Sequence, residues 1–308
     1  MITDVAFITV NYNTRALLED LVLFFRSVDL PFTYTFTVVD NASSDESLLF
    51  LKSCPEVTTI LNGTNLGYGK AMNQGIVATS SRYLCLLNTD IILNSEALTA
   101  LVEHCDTHPS VKVCSPLIRH LNGRIQGGYY RFSLFYAYLD IYKKIYIKML
   151  KTRLASTNKI VPVDGIAGAF IFCSRDIVCN EKLFDEDFFF YYEDTELAHR
   201  LFKQGVKCNV LSGQSIIHLG GQSSSNRHVQ QLYISKYLYL KKQYGDVHAK
   251  MLLMQDIIRV HGKRFFYGIV SRLTKSKNIR SKLEKYVLVT QSLNDLYSKL
   301  HNKDSRKN

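Results

Sequence analysis

The chain has 308 residues, 46% of them apolar, with 38 Lys/Arg against 27 Asp/Glu and a formal charge of +11. That length and composition suit one large soluble domain or two modest ones, and no apolar run reaches the roughly 18 residues of a membrane-spanning helix. Its seven cysteines, at 54, 85, 105, 114, 173, 179 and 208, form no C-x-x-C pair, which argues against a zinc site and a disulfide framework and for a reducing cytosol.

The start, "MITDVAFITV", lacks the basic region of a signal peptide and reads as a first strand. From there strand-like and helix-like segments alternate. "VAFITVNYN" is β-rich and "TRALLEDLVLFFRSV" has apolar positions at helical spacing. "FTVVDNASS" is a strand running into turn residues, followed by the helical "DESLLFLKSC". "VTTILNGTN" and "RYLCLLNTDIIL" are strands with the helical "GYGKAMNQGIVATS" between them. This alternation predicts an α/β fold with a mostly parallel central sheet flanked by helices. Further on, "VKVCSPLIR" and "AGAFIFCSR" are strands. Between them "LFYAYLDIYKKIYIKMLKTRL" interleaves aromatic and basic residues at helical spacing. "DTELAHRLFKQG" predicts a helix with Asp194 as N-cap and Gly205 at its close.

After about 226 the chain reads as helices, with Tyr233, Tyr237 and Leu240 on one stripe and a frayed last dozen residues. The sequence thus divides into a body, 1–225, and a helical basic extension, 226–308. Residues 231–308 hold 17 Lys/Arg and 5 Asp/Glu, which leaves 21 and 22 in the rest. A neutral body with a basic tail predicts an anionic partner surface. The tail's basic residues alternate with Leu, Ile, Phe and Tyr and carry no nucleic-acid recognition motif. A membrane surface, and not nucleic acid, is therefore the expected partner.

Ligands of such sheets bind beyond the carboxyl ends of the strands, which here read "NYN", "DNASSD" and "NTD". Asn88-Thr89-Asp90 closes an apolar strand before a helix capped at Ser95. A carboxylate placed there can hold a hard cation against a diphosphate or serve simply as a turn residue. Asp40 can accept from the imide of a uracil or thymine ring or make an Asx-turn. Asp45 reads best as a helix cap. "NLGYGKAMNQG" sets two glycines before a helix, whose N-terminal N–H groups favour phosphate, with Lys70 beside them. His218, at a strand end, is a metal ligand if it converges on Asp90 and a structural histidine otherwise. "FDEDFFFYYEDTELAHR" gathers six carboxylates around five aromatic residues. Such crowding is offset by solvent, a metal or a reaction that needs a base.

These stretches in this order resemble the family 2 glycosyltransferases of the GT-A fold, especially their rhamnosyltransferase-like branch. The matching pieces are "ITVNYN", "VVDNASSD", "NLGYGKAMNQG", "LLNTDIIL", "VDGIAGAFIFCSRD", "FDEDFFFYYEDTELAHRLFKQG" and "IIHLGGQSS", spanning about residues 5–225. The resemblance implies an inverting transferase that takes a sugar from a nucleotide-diphosphate donor to a hydroxyl of a growing, lipid-linked surface glycan. L-Rhamnose from dTDP-rhamnose is the first expectation. Galactofuranose, glucose or galactose from a UDP donor is the alternative, and a non-catalytic nucleotide-binding protein a further one.

By the same resemblance Asn11, Tyr12, Asn13, Asp40 and Asn41 line the donor site with Asn65, Gly67, Lys70, Asn88 and Thr89. Asp90 and His218 hold a divalent cation, Mg²⁺ or Mn²⁺, in a motif whose first acidic position is Asn88. Of the Glu193-Asp194 pair, Asp194 is the general base. Asp185, Glu186 and Asp187 are assigned to a solvated turn. The expected location is cytoplasmic and peripheral, on the inner face of the plasma membrane.

Overall fold

A computed structural model describes residues 2–132, 140–155, 160–220, 226–274 and 276–304. Strand β1 (Thr3–Asn11) is buried almost end to end because both of its faces are covered. Val5 and Phe7 enter one apolar core and Ala6 and Ile8 the other. This period-2 division is what a strand inside a three-layer α/β unit requires. Helix α1 (Arg15–Ser27) covers the first face through Leu18, Leu21, Val22 and Phe25. Strand β2 (Tyr34–Asp40), the short α2 (Ser47–Lys52) and β3 (Thr58–Leu61) follow, and α3 (Tyr68–Val77) lays Met72 and Ile76 on the second face.

Strand β4 (Ser81–Leu87) repeats the division, with Cys85 and Leu87 on one side and Leu84 and Leu86 on the other. The sequence predicts one strand through "RYLCLLNTDIIL", but β4 stops at Leu87. Asn88-Thr89-Asp90 turns the chain out, and Ile91–Ile92 becomes a separate strand, β5, at the sheet edge. The next helix, α4 (Ser95–Thr107), is capped by Asn94, whose side chain accepts from Ala97 N–H at 3.1 Å, and not by Ser95. Strand β6 (Val111–Arg119), the two-residue β7 (Tyr129–Tyr130), α5 (Asp140–Ala155), β8 (Ile160–Val163), β9 (Gly165–Ile166) and β10 (Phe170–Ser174) come next. The part of the predicted aromatic–basic helix at 134–139 lies outside the described residues. Helix α6 (Glu193–Lys203) and the 12-residue β11 (Lys207–His218) complete the layer.

The strand order is β3-β2-β1-β4-β10-β6-β11-β5, with β8 also paired to β11. β1, β2, β3 and β4 are parallel, as are β6 and β11, whereas β10 runs antiparallel to both β4 and β6. Two registers matter for the site: Asn11 lies opposite Asp40, and His218 opposite Ile91. They bring residues far apart in sequence to the same polar ends.

The chain divides into two compact units, one of residues 1–189 and 193–220, the other of 190–192 and 221–308. The second contains α7 (Asn226–Tyr244), α8 (Asp246–Leu273) and α9 (Lys277–Asp304). In α7, Tyr237 and Leu240 are buried, and Lys236 pairs with Asp256 of α8. Tyr267 and Tyr286 stack across α8 and α9 with centroids 5.4 Å apart. Helix α9 continues to Asp304, past the point where the composition predicts fraying; residues 305–308 lie outside the description. Among the described residues no helix is long and apolar enough to cross a membrane.

Candidate active site

The ends of β1 and β2 form the first wall. Asn11 and Asp40, both buried, are joined by Asn11 Nδ2–H donating to Asp40 Oδ1 at 2.7 Å. Asp40 Oδ2 accepts from the Ser43 N–H at 2.9 Å. Thr14 Oγ1–H donates to Asn11 Oδ1 at 2.7 Å, and its oxygen lies 3.0 Å from Thr89 Oγ1. Asp40 thus closes a side-chain turn onto the N–H three residues on, one residue beyond an Asx-turn, and Thr14 links the first two strand ends to the turn after β4. Asn13, at φ 55°, holds the next turn through Ser44 N–H at 2.7 Å. Asp45 accepts from the N–H groups of Arg15 and Ser47, so it serves the starts of two helices.

Asn41 anchors the following loop. Its Nδ2–H groups donate to Asn65 Oδ1 at 2.9 Å and Gly67 O at 3.3 Å, while its Oδ1 accepts from Asn62 and Leu66. Gly67 stands at φ 87°, and a Cβ there would meet Phe189 O at 2.3 Å, so only glycine fits. Asn41, Asn65 and Gly67 therefore shape the loop before α3. Tyr12 and Lys70 are exposed and are not drawn into this network.

The second group comes from the turn after β4 and the end of β11. Asp90 Oδ1 lies 3.1 Å from His218 Nε2, and Asp90 Oδ2 accepts from the Gly220 N–H at 3.2 Å. Burial raises the Asp90 pKa, but the His218 and Gly220 hydrogen bonds outweigh it and hold the carboxyl below the usual range. The opposite edge of the imidazole, Nδ1, lies 3.0 Å from Gln126 Oε1, which fixes the ring plane. Among the described residues no cluster of three or more His, Cys, Asp or Glu could hold a metal ion. The protein offers two donors, an oxygen and a nitrogen. Their 3.1 Å separation matches the edge of an octahedron with bonds of about 2.1 Å. Such a pair suits a cation whose other positions are filled by water and substrate phosphates. The carbonyl side of the arrangement is closed by Leu219 N–H donating to Asp90 O at 3.0 Å. Residues 221–224 of the stretch "IIHLGGQSS" lie outside the description.

The third group stands at the start of α6. The helix begins at Glu193, so Asp194 lies inside the first turn and is not the cap. Asp194 Oδ2 accepts from Gly168 N–H at 2.8 Å and from Tyr130 O–H at 3.1 Å; Oδ1 accepts from Thr195 N–H at 2.6 Å. A Cβ on Gly168 would come within 2.8 Å of Asp194 Cβ, so the close approach depends on glycine. Four donors, counting Thr195 Oγ1–H at 3.2 Å, fix the carboxylate while it stays partly exposed.

Glu193 differs. It is buried, its Oε2 has no partner, and burial together with the Asp194 charge pushes its pKa up to about 8. Burial and the adjacent carboxylate thus bias the Glu193 carboxyl toward its protonated form. Tyr191 and Tyr192, at φ 67° and 65°, precede it in strained left-handed backbone. Tyr68 donates its hydroxyl to Gly168 O at 3.3 Å, and burial first, then the nearby acidic groups Glu193, Asp194 and Asp90, raise its pKa. One phenol thus feels the carboxylates of both the second and third groups. Of the remaining acids, Asp185 accepts from Asp187 N–H and Glu196 from Arg200, both local, whereas Glu186 accepts from Asn73 of α3, 113 residues away, and so is not simply part of a solvated turn.

The model of the family "Glycosyl transferase family 2" matches residues 6–176. The chain belongs to glycosyl transferase family 2. It is 24% identical over 234 residues to an N-acetylglucosaminyl-diphospho-decaprenol L-rhamnosyltransferase of Mycobacterium tuberculosis, a match covering 68% of this chain and 75% of that one. It is 25% identical over 230 residues to the low-salt glycan biosynthesis hexosyltransferase Agl10 of Haloferax volcanii, covering 71% of this chain and 68% of that one. Its fold is shared with the mannosyltransferase PcManGT of Pyrobaculum calidifontis, solved with GDP-mannose and Mn²⁺. That alignment has a TM-score of 0.57 at 13% identity and covers 95% of this chain and 86% of that one. The protein is a nucleotide-sugar glycosyltransferase with the GT-A architecture.

In this glycosyltransferase several site residues carried no sequence signal. Tyr130 belongs to a two-residue strand, Gln126 to a loop, and Gly168 to a connection between strands. Tyr130 and Gly168 are set by contacts 64 and 26 residues away. Only Gly168 lay in a stretch the resemblance had marked, "VDGIAGAFIFCSRD", and there without a role of its own.

Proposed function

We propose that this glycosyltransferase is an inverting enzyme that transfers L-rhamnose from dTDP-rhamnose to a hydroxyl of a growing, lipid-linked surface glycan. The observation that carries the reading is a cation-competent pair, Asp90–His218, and a separately held carboxylate, Asp194, both close enough to act on the Tyr68 phenol. The donor-binding set is Asn11, Tyr12, Asn13, Asp40, Asn41, Asn65, Gly67, Lys70, Asn88 and Thr89, with Asn11, Asp40 and Asn41 as its rigid frame and Tyr12 and Lys70 free to meet the ligand.

Asp90 and His218 would hold a divalent cation, Mg²⁺ or Mn²⁺, which would supply positive charge to stabilise the departing diphosphate. Asp194 takes the proton of the acceptor hydroxyl while that oxygen bonds to the anomeric carbon and the bond to the diphosphate breaks. Gly168 N–H and Tyr130 O–H keep the Asp194 oxygen aimed. Protonated Glu193 keeps a second charge out of the pair. The dTDP-rhamnose assignment is supported by the Mycobacterium relative, named a rhamnosyltransferase for a diphospho-decaprenol acceptor. The Haloferax relative, a hexosyltransferase of similar identity, favours a second reading with another hexose donor.

A peripheral position on the inner face of the plasma membrane is supported by the surface of the helical unit. Phe265 and Leu273 are 72% and 78% exposed, with Phe266 and Ile269 beside them. Lys263, Arg264, Arg272, Lys277 and Arg280 share that stretch and are exposed. Basic residues near anionic lipid contribute on the order of 1 kcal/mol each, and inserted apolar groups add to that.

A thermal-shift screen of dTDP-rhamnose, UDP-galactofuranose, UDP-glucose and UDP-galactose, each with Mg²⁺ or Mn²⁺, tests the donor. dTDP-rhamnose is expected to give the largest shift, followed by turnover with inversion on a lipid-linked acceptor. A larger shift and turnover with a UDP-hexose selects the second reading, and no shift with any donor overturns both.

A further inference from the structure

After β6 the chain doubles back: Arg119 and Ile125 pair antiparallel, and His120 N–H donates to Arg124 O at 2.9 Å. The returning arm brings Gln126 against Nδ1 of His218, the edge of the ring that faces away from Asp90. This hairpin therefore leans on the candidate cation pair from the far side. Beyond it opens a cavity of about 750 Å³, lined by His120, Arg124, Lys151, Leu121, Ile125 and Leu219. That volume lies within the range of small-ligand sites.

The charge of this cavity is unbalanced. Several cations of the same unit meet carboxylates, Arg15 with Glu19, Arg26 with Glu56, Arg82 with Asp4 and Asp106, and Lys112 with Asp176, while Arg175 and Arg119 spend their donors on backbone and hydroxyl oxygens. Among the described residues Arg124 and Lys151 have no carboxylate partner, and no Asp or Glu lines the cavity. Lys151 donates once, to Ile125 O at 2.8 Å, which leaves two of its three ammonium hydrogens. Among the described residues the Arg124 guanidinium has no hydrogen-bond acceptor. Leu121, 71% exposed, and Leu219 place apolar surface at the same opening. Several unpaired donors beside an apolar rim suit a ligand that joins phosphate to hydrocarbon.

We propose that this cavity holds the diphosphate of a prenyl-linked acceptor, separate from the donor diphosphate at Asp90–His218. The inference rests on the proposed lipid-linked acceptor. Arg124 and Lys151 grip the phosphates, His120 adds a donor, and Leu121 starts the track for the prenyl chain. The sugar on the far side of that diphosphate then lies toward His218, with its hydroxyl directed into the transfer site.

Titration of the full chain with farnesyl diphosphate, in saturating dTDP and Mg²⁺, tests the site. Arg124→Ala with Lys151→Gln is expected to weaken farnesyl diphosphate binding about tenfold or more, the loss of charge-assisted hydrogen bonds. dTDP affinity stays within about twofold, since neither residue belongs to the donor set. Arg124→Ala alone changes an exposed side chain without touching the fold and should show part of the loss, which Arg124→Lys restores in part. Wild-type and doubly substituted proteins that bind farnesyl diphosphate equally would overturn the proposal. So would an equal loss of dTDP, which would make the cavity part of the donor site. Inorganic diphosphate binding as tightly as the farnesyl form would overturn the prenyl assignment. A wild type that binds farnesyl diphosphate but no nucleotide would instead count against the donor reading and support the cavity.

Discussion

Two walls of polar groups in the candidate site are built on opposite principles. On the Asn11–Asp40–Asn41 wall the polar side chains are buried and engaged with one another, and they come from adjacent strand ends. On the Asp194 wall a carboxylate stays partly exposed, and its donors come from residues 26 and 64 positions away. The first wall is a frame, satisfied without a ligand. The second presents the proposed base, held by two long-range donors, Gly168 and Tyr130, beside its neighbour Thr195. The Asp90–His218 pair stands between these extremes, Asp90 from the turn after β4 and His218 from the end of β11, and substitutions that separate the walls test the division.

The largest effect is expected at that pair. Asp90→Ala removes the oxygen donor, so metal-dependent donor binding should weaken and transfer fall on the order of 10²–10³-fold. Excess chelator on the wild type should stop transfer, and His218→Ala should act in the same direction but less. Titration calorimetry with and without Mn²⁺ reads the binding half; full activity in chelator would remove the cation from the account.

This contrast also explains what was legible in the sequence. Asp40, Asn41, Asp90 and Asp194 each close a strand or open a helix, so element ends marked them before any contact was known. The mostly parallel sheet was equally readable, because strand–helix alternation through residue 93 leaves few other topologies. The antiparallel β10 was not, since "AFIFCS" has the same apolar character in either direction. The break between β4 and β5 was hidden in the same way: "LLNTDIIL" is continuous in β propensity, and only the pairing of Ile91 with His218 ends it. Tyr130 and Gln126 were invisible because their roles are fixed by partners distant in the chain. Asp194's place inside the helix, not at its cap, turns on strained backbone at Tyr191 and Tyr192, which no propensity anticipates.

Glu193 provides the next test, through pH. Its folded pKa of about 8 lies above the ordinary 4.5, so its protonated form contributes stability that is fully present below about 4.5. That contribution is lost as pH rises toward 8, because the folded chain then binds a proton the unfolded chain does not. Chemical denaturation of the wild type and Glu193→Gln at pH 5 and pH 8 should show a gap that shifts by a few kcal/mol in favour of the variant at the higher pH. A pH-independent gap would mean that Glu193 is ionised in the fold and shares the charge of Asp194.

A smaller effect is expected at Tyr130. Tyr130→Phe removes one of four donors to Asp194 and leaves the others, so kcat should drop about 3- to 10-fold, the size of one hydrogen bond. Donor KM should not change, because the phenol belongs to the base wall. Equal losses in kcat/KM for donor and in donor affinity would mean the two walls are not separable.

The most direct measurement is transfer and donor affinity, side by side, on Asp194→Asn. Asparagine keeps the shape of the side chain but removes the proton acceptor, so kcat should fall about 10²- to 10⁴-fold while the nucleotide-sugar dissociation constant stays within about twofold. A variant that keeps more than about a tenth of wild-type transfer, or that loses donor binding along with transfer, would contradict the assignment of Asp194 as the base on a wall separate from the donor frame.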